Sequence, residues 1–137
     1  MFKSKSRQGA QTSPADALIR VHGPNPVFVR SSIGERILDA QVLLPRGLRL
    51  VVTHGCPDPA HATGHAADIT LEDRWGRELD LGPRTGFVPA GTEAAANRAL
   101  LAHALTGVGL ACDNWWHWSL PEHRTAQPAD QKLVLAA

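Results

Sequence analysis

The stretch that decides the reading of this chain is His61-Ala-Thr-Gly64-His65-Ala-Ala67-Asp68-Ile-Thr-Leu71. It places an imidazole ahead of a glycine turn and then a carboxylate inside an alternating run, Ala66 to Leu71, that reads as a β-strand. A further histidine, His117, lies far along the chain in Trp115-Trp-His-Trp-Ser119. Two imidazoles and one carboxylate suit Zn²⁺ and leave one tetrahedral position open, as in catalytic rather than structural zinc sites. The competing reading is ordinary turn chemistry, in which His61 hydrogen-bonds a loop and Asp68 accepts from backbone amides near a strand end. Spacing alone leaves both standing.

Outward from this stretch, Leu48 to Thr53 has the β-branched richness of a strand, and His54 to His61, with its prolines, reads as a loop. Leu79 and Leu81 suggest a strand end, and Gly82 to Gly91 a loop. Thr92 is a suitable N-cap for a helix over Ala94 to Leu105 that Gly107 ends. A last strand is expected to run from Cys112 through Trp115 to Leu120. Upstream, glycine and prolines break Leu18 to Val29 into short extended pieces. Ser31 or Ser32 is expected to cap a helix reaching Gln41. Lys132 to Leu135 is a candidate edge strand.

With 137 residues, 43% of them hydrophobic, the chain has the material for one packed domain. Residues 1–15 are nearly devoid of apolar side chains and are expected to form a flexible tail, leaving 16–137 as a single domain. The net charge of +1, from 14 Lys+Arg against 13 Asp+Glu, argues against nucleic acid or an anionic membrane as partner and favours a small molecule. The longest apolar stretch, Val42 to Val52, is broken by Pro45, Arg46 and Arg49, and the N-terminus has no apolar leader core, so a cytoplasmic location is expected. In such a compartment Cys56 and Cys112 are expected to remain thiols.

The order of motifs adds to this. His61-x-x-Gly-x-Ala-x-Asp68, then Glu78-Leu-Asp-Leu-Gly82, then Asn97-Arg-x-Leu-Leu101, then Trp115-Trp-His-Trp-Ser119 resembles the zinc D-alanyl-D-alanine dipeptidases of the vancomycin-resistance type, from about Leu38 to Ser119. The resemblance implies zinc as cofactor, with His61, Asp68 and His117 as ligands. It also implies an α+β fold: a central antiparallel sheet, flanking helices on one side, and the metal in the sheet cleft. A dipeptide or other amino-acid-derived molecule is the implied substrate.

Two departures fall where the family keeps its catalytic groups. The family reads Glu-x-x-His at the distal motif, and Asn114 stands in place of that glutamate; an amide cannot serve as general base. The family's arginine-bearing loop is replaced by Thr53-His-Gly-Cys-Pro-Asp-Pro59, and the helix that usually follows that loop is missing. Replacement proton carriers are His65, His54 and Asp113, although strand alternation turns Asp113 away from the metal unless a bulge intervenes. Cys56, Asp58 and Trp115 are candidate substrate contacts, and Cys56 or His54 a candidate fourth ligand. Glu78 and Asp80 are either partners of a ligand imidazole or an exposed hairpin pair.

Three functions follow from these residues. One is zinc-assisted acid–base chemistry diverted from hydrolysis to a lyase, isomerase or cyclisation step, which the loss of base and arginine favours. Another is a dipeptidase-like hydrolase with a replacement base. The last is a non-catalytic zinc module closed by a fourth protein ligand.

Overall fold

The computed structural model describes residues 16–123. Two short strands, β1 (Leu18–Arg20) and β2 (Phe28–Arg30), pair antiparallel and lead into helix α1 (Ser31–Gln41). Strand β3 (Arg49–His54), a 3₁₀ turn at Pro59–His61 and strand β4 (Ala66–Glu72) follow, then helix α2 (Glu93–Thr106) and the strands β5 (Ala111–Asn114) and β6 (His117–Ser119). The larger sheet is antiparallel in the order β3-β4-β6-β5. This is a small α+β architecture with two antiparallel sheets and two helices.

Side-chain alternation divides that sheet into a core face and an open face. Leu50 and Val52 of β3, Ala67, Ile69 and Leu71 of β4, and Trp118 of β6 are buried in one cluster with Ile33 and Ile37 of α1 and Leu101 and Leu105 of α2. Asp68, Thr70 and Glu72 alternate with the core residues of β4 and so face the other way. The helices occupy one side, and the polar residues of the central strand are left for the other. Glu72 is held there by His22 Nε2 at 2.7 Å and by Arg49 Nε, which donates at 2.6 Å.

The structure corrects several local expectations. Ser31 and Ser32 do not cap α1; they are its first residues, and the Asp16 carboxylate accepts from Ser32 N at 2.8 Å, Ser32 Oγ at 2.8 Å and Ser31 Oγ at 3.3 Å. A carboxylate accepting from one orphan amide and two hydroxyls of the first turn does what a local cap would have done. Thr92 caps α2 as expected, accepting from Ala95 N at 3.3 Å. Leu79 and Leu81 form no strand: a single bridge joins Glu72 and Glu78.

The tryptophan segment is not one strand either. Trp115 and Trp116 sit at the turn between β5 and β6; Trp118 is buried in the core, and Trp115 packs half-buried against its edge. The expected tail over 1–15 and edge strand at 132–135 lie outside the described residues. Within them, no disulfide joins Cys56 and Cys112.

Ile69 is fully buried in the middle strand. Ile69→Ala is expected to cost about 2–5 kcal/mol through lost burial and a residual cavity, read as a lower urea midpoint with unchanged slope.

Candidate metal centre

The site grows out of the β4 register. Asp68 lies directly opposite His117 of β6 on one side and His54 of β3 on the other. His61 arrives from the 3₁₀ turn, and the chain reverses between it and β4 at Gly64, whose φ of +78° favours a residue without Cβ. A Cβ there would also fall 2.5 Å from Leu18 Cδ2. Arg30 fastens this turn, donating from its backbone N to Gly64 O at 2.8 Å and from Nε to Thr63 O at 2.8 Å.

Three potential ligand atoms converge. His61 Nε2 is 3.1 Å from Asp68 Oδ1 and 3.3 Å from His117 Nδ1, and His117 Nδ1 is 3.0 Å from Asp68 Oδ1. A tetrahedral zinc ion with bonds of about 2.0–2.1 Å has ligand–ligand edges of roughly 3.3–3.4 Å, close to this triangle. The proton inventory fits as well. His61 Nδ1 lies 2.7 Å from Asp58 Oδ2 and donates to it, so in the neutral ring Nε2 presents a lone pair to the lone pairs of Asp68. Such a meeting of acceptors requires a cation between them, either a proton or a metal. No fourth donor joins the triangle among the described residues, so a tetrahedral position stays open.

The electrostatics of the metal-free cluster agree. Hydrogen bonding to Asp68 raises the His61 pKa above 6.5, against the opposing effect of burial and with further help from Asp58. Burial pushes Asp68 up, but hydrogen bonds from His117, His61 and Arg84 outweigh it and hold the carboxyl well below its usual range. His61 is almost fully buried, whereas the His117 side chain is 25% exposed, so the cluster opens to solvent on the His117 side.

The remaining candidates separate clearly. His54 is brought in: a bulge between Val52 and His54 shifts the register, and the His54 Nδ1 stands 3.5 Å from Asp68 Oδ2. Without that bulge, alternation would carry His54 to the core face with Leu50 and Val52. His65 goes elsewhere, stacked on His123 with ring centroids 4.1 Å apart. Burial, His123 and Arg30 lower its pKa.

Asp58 acts on His61, the carboxylate–histidine pairing that orients metal ligands, a part considered for Glu78 and Asp80. Asp80 instead accepts from Gly82 N at 2.9 Å. Trp115 donates from Nε1 to Pro83 O at 3.2 Å, and Cys56 pairs its backbone with Phe28. Asn114 lies opposite His117, exposed, after a bulge at Asp113.

Arg84 was missed from the sequence. Its Nη1 donates to Asp68 Oδ2 at 3.2 Å, and its guanidinium carbon lies 5.0 Å from the centre of the Trp116 ring. The signal for Asp58 was available in the Asp-x-x-His spacing of residues 58–61; for Arg84, 16 residues beyond Asp68 on a loop, none was.

The chain is similar to a dipeptidase. The D-alanyl-D-alanine dipeptidase of Escherichia coli (strain K12) is 31% identical over 99 residues, covering 57% of this chain and 51% of the relative. The chain thus spans about half the length of the curated relative it matches, a distant relationship to that family. No family model matches. Among the described residues, no helix is long and apolar enough to cross a membrane.

If the triangle holds zinc, Asp58→Ala is expected to weaken its binding about 10–100-fold, measured by competition with a chromophoric chelator, with the stoichiometry at saturating zinc unchanged. A pH dependence follows from the two shifts. The stabilisation from Asp68 is present above its unfolded pKa near 3.8 and is lost as pH falls through the depressed folded value. That from His61 is present below 6.5 and is lost as pH rises through the raised folded value. A metal in the triangle would take the place of the proton on His61 Nε2, so the gap in Tm between protein with and without added zinc is expected to widen as pH rises above 6.5 in scanning calorimetry.

Proposed function

We propose that this chain is a zinc-dependent, dipeptidase-like enzyme that hydrolyses a small amino-acid-derived amide. The observation that carries the reading is the triangle of His61, Asp68 and His117 atoms, with Asp58 fixing the His61 tautomer and one coordination position left open. The similarity to a dipeptidase supports hydrolysis over the lyase, isomerase or cyclisation chemistry that the loss of the family's glutamate suggested.

His61, Asp68 and His117 would hold the zinc, which would supply a Lewis acid for the scissile carbonyl and lower the pKa of a bound water. The chain's own residues must then move the proton. Asn114, opposite His117, can donate a hydrogen bond from its amide but cannot accept a proton for catalysis. His54 is the ionisable side chain that the β3 bulge sets beside Asp68, half-exposed and able to exchange protons with solvent. In this reading His54 takes a proton from the attacking water and returns it to the leaving amine. Asp68, held ionised, gives the cluster an anionic ligand suited to a divalent cation.

The test is to load the full chain with zinc, confirm one equivalent, and follow D-Ala-D-Ala and a panel of small dipeptides by mass spectrometry. Hydrolysis of at least one is expected, and its absence in the loaded protein overturns the proposal. His54→Gln should lower kcat by about 10²–10⁴-fold with zinc content unchanged, the range for removal of a positioned acid–base group. Asn114→Glu places a carboxylate opposite His117 and is expected to raise dipeptide turnover.

A further inference from the structure

Arg84 has more donors than its observed partner uses. Among the described residues its one hydrogen bond runs from Nη1 to Asp68 Oδ2, at 3.2 Å. The rest of the guanidinium fork, on a side chain 44% exposed, borders the open side of the donor cluster and rests against the Trp116 ring. A planar cation with free parallel N–H groups, stacked on an aromatic ring, is a bidentate receptor for a carboxylate.

The backbone leading to Arg84 is held in place by side chains from two other elements. Arg98 of α2 donates from Nε to Leu81 O at 2.6 Å and from Nη2 to Pro83 O at 2.7 Å. Trp115 Nε1 donates to the same Pro83 oxygen at 3.2 Å, and the Arg98 guanidinium carbon lies 4.9 Å from the centre of the Trp115 ring. Asn97 Nδ2 donates to Asp80 O at 2.8 Å, one residue before Leu81. Arg98 thus directs its charge at two carbonyl oxygens of a single surface loop. Fixing where Arg84 emerges is what that arrangement achieves.

We propose that Arg84 binds the carboxylate of the substrate at the open side of the cluster, and that Arg98 and Trp115 are positioning residues that hold its loop. The metal-centre reading underlies this assignment, which adds to it the residue that receives the carboxylate and the two that hold that residue's loop. The Asp68 oxygen occupies one Arg84 donor, and a bound carboxylate engages those left over.

The experiment uses the full chain loaded with zinc and compares binding of N-acetylglycine with that of its neutral amide by isothermal titration. Charge-assisted hydrogen bonds in a partly exposed site give an expected preference of about ten-fold or more for the acid. Arg84→Gln should abolish that preference at unchanged zinc stoichiometry. Arg84→Lys, which keeps the charge but not the fork, should retain part of it. Arg98→Met should reduce the preference with Arg84 still present; Trp115→Phe, which removes only the donor to Pro83, reads the same effect if Arg98→Met fails to fold.

Wild-type protein with no preference for the acid, or a preference that survives Arg84→Gln, overturns the assignment of Arg84. An unchanged preference in folded Arg98→Met and Trp115→Phe overturns the positioning role. Wild-type protein that binds no zinc overturns the metal-centre reading, and with it this one, and that outcome is read before any acid is added.

Discussion

The structure depends on a carboxylate kept ionised in the central strand of its larger sheet. Asp68 is 6% exposed, and a bare charge at that burial is strongly disfavoured. It is tolerated because neighbours from separate parts of the chain supply hydrogen bonds or positive charge: His61 from the turn, His117 from β6 and Arg84 from the loop before α2. Each of these has its own anchor. Asp58 orients His61, strand pairing sets His117, and Arg98 holds the loop of Arg84. Asp68 is thus the point on which three otherwise unrelated segments agree.

The same strand serves the core from its other face. Ala67, Ile69 and Leu71 are fully buried against the helices, so β4 cannot slip by one residue without exchanging its apolar set for Asp68, Thr70 and Glu72. Hydrophobic packing on one side therefore fixes the register that sets Asp68 beside His117 and His54 on the other. The energetic requirement of the core and the geometric requirement of the site are met by one choice of register.

Much of this was legible in the sequence where the information is local. The alternation of Ala66 to Leu71, the glycine at residue 64 and the Thr92 cap each act within a few residues, and the corresponding elements formed where expected. The family resemblance supplied the grouping of His61, Asp68 and His117 that spacing alone left undecided. Less local features escaped. The cap of α1 comes from Asp16, 16 residues before Ser32, and the arrival of Arg84 at Asp68 depends on side chains of α2. The turn at Trp115 and Trp116 was hidden because an uninterrupted run of aromatic residues carries strand propensity whether or not it bends. The bulge that turns His54 toward Asp68 left no sequence mark either.

Sheet order gives the site a kinetic character. Strand β6 lies between β4 and β5, although it follows both in the chain, so His117 meets Asp68 only after the terminal hairpin has seated itself against the middle of the sheet. The two residues are 49 positions apart, and their meeting closes a loop containing all of α2. A cation held by both would work as a latch on that closure. It would join the middle strand of the sheet to the hairpin of β5 and β6, and so resist the parting of β6 from β4.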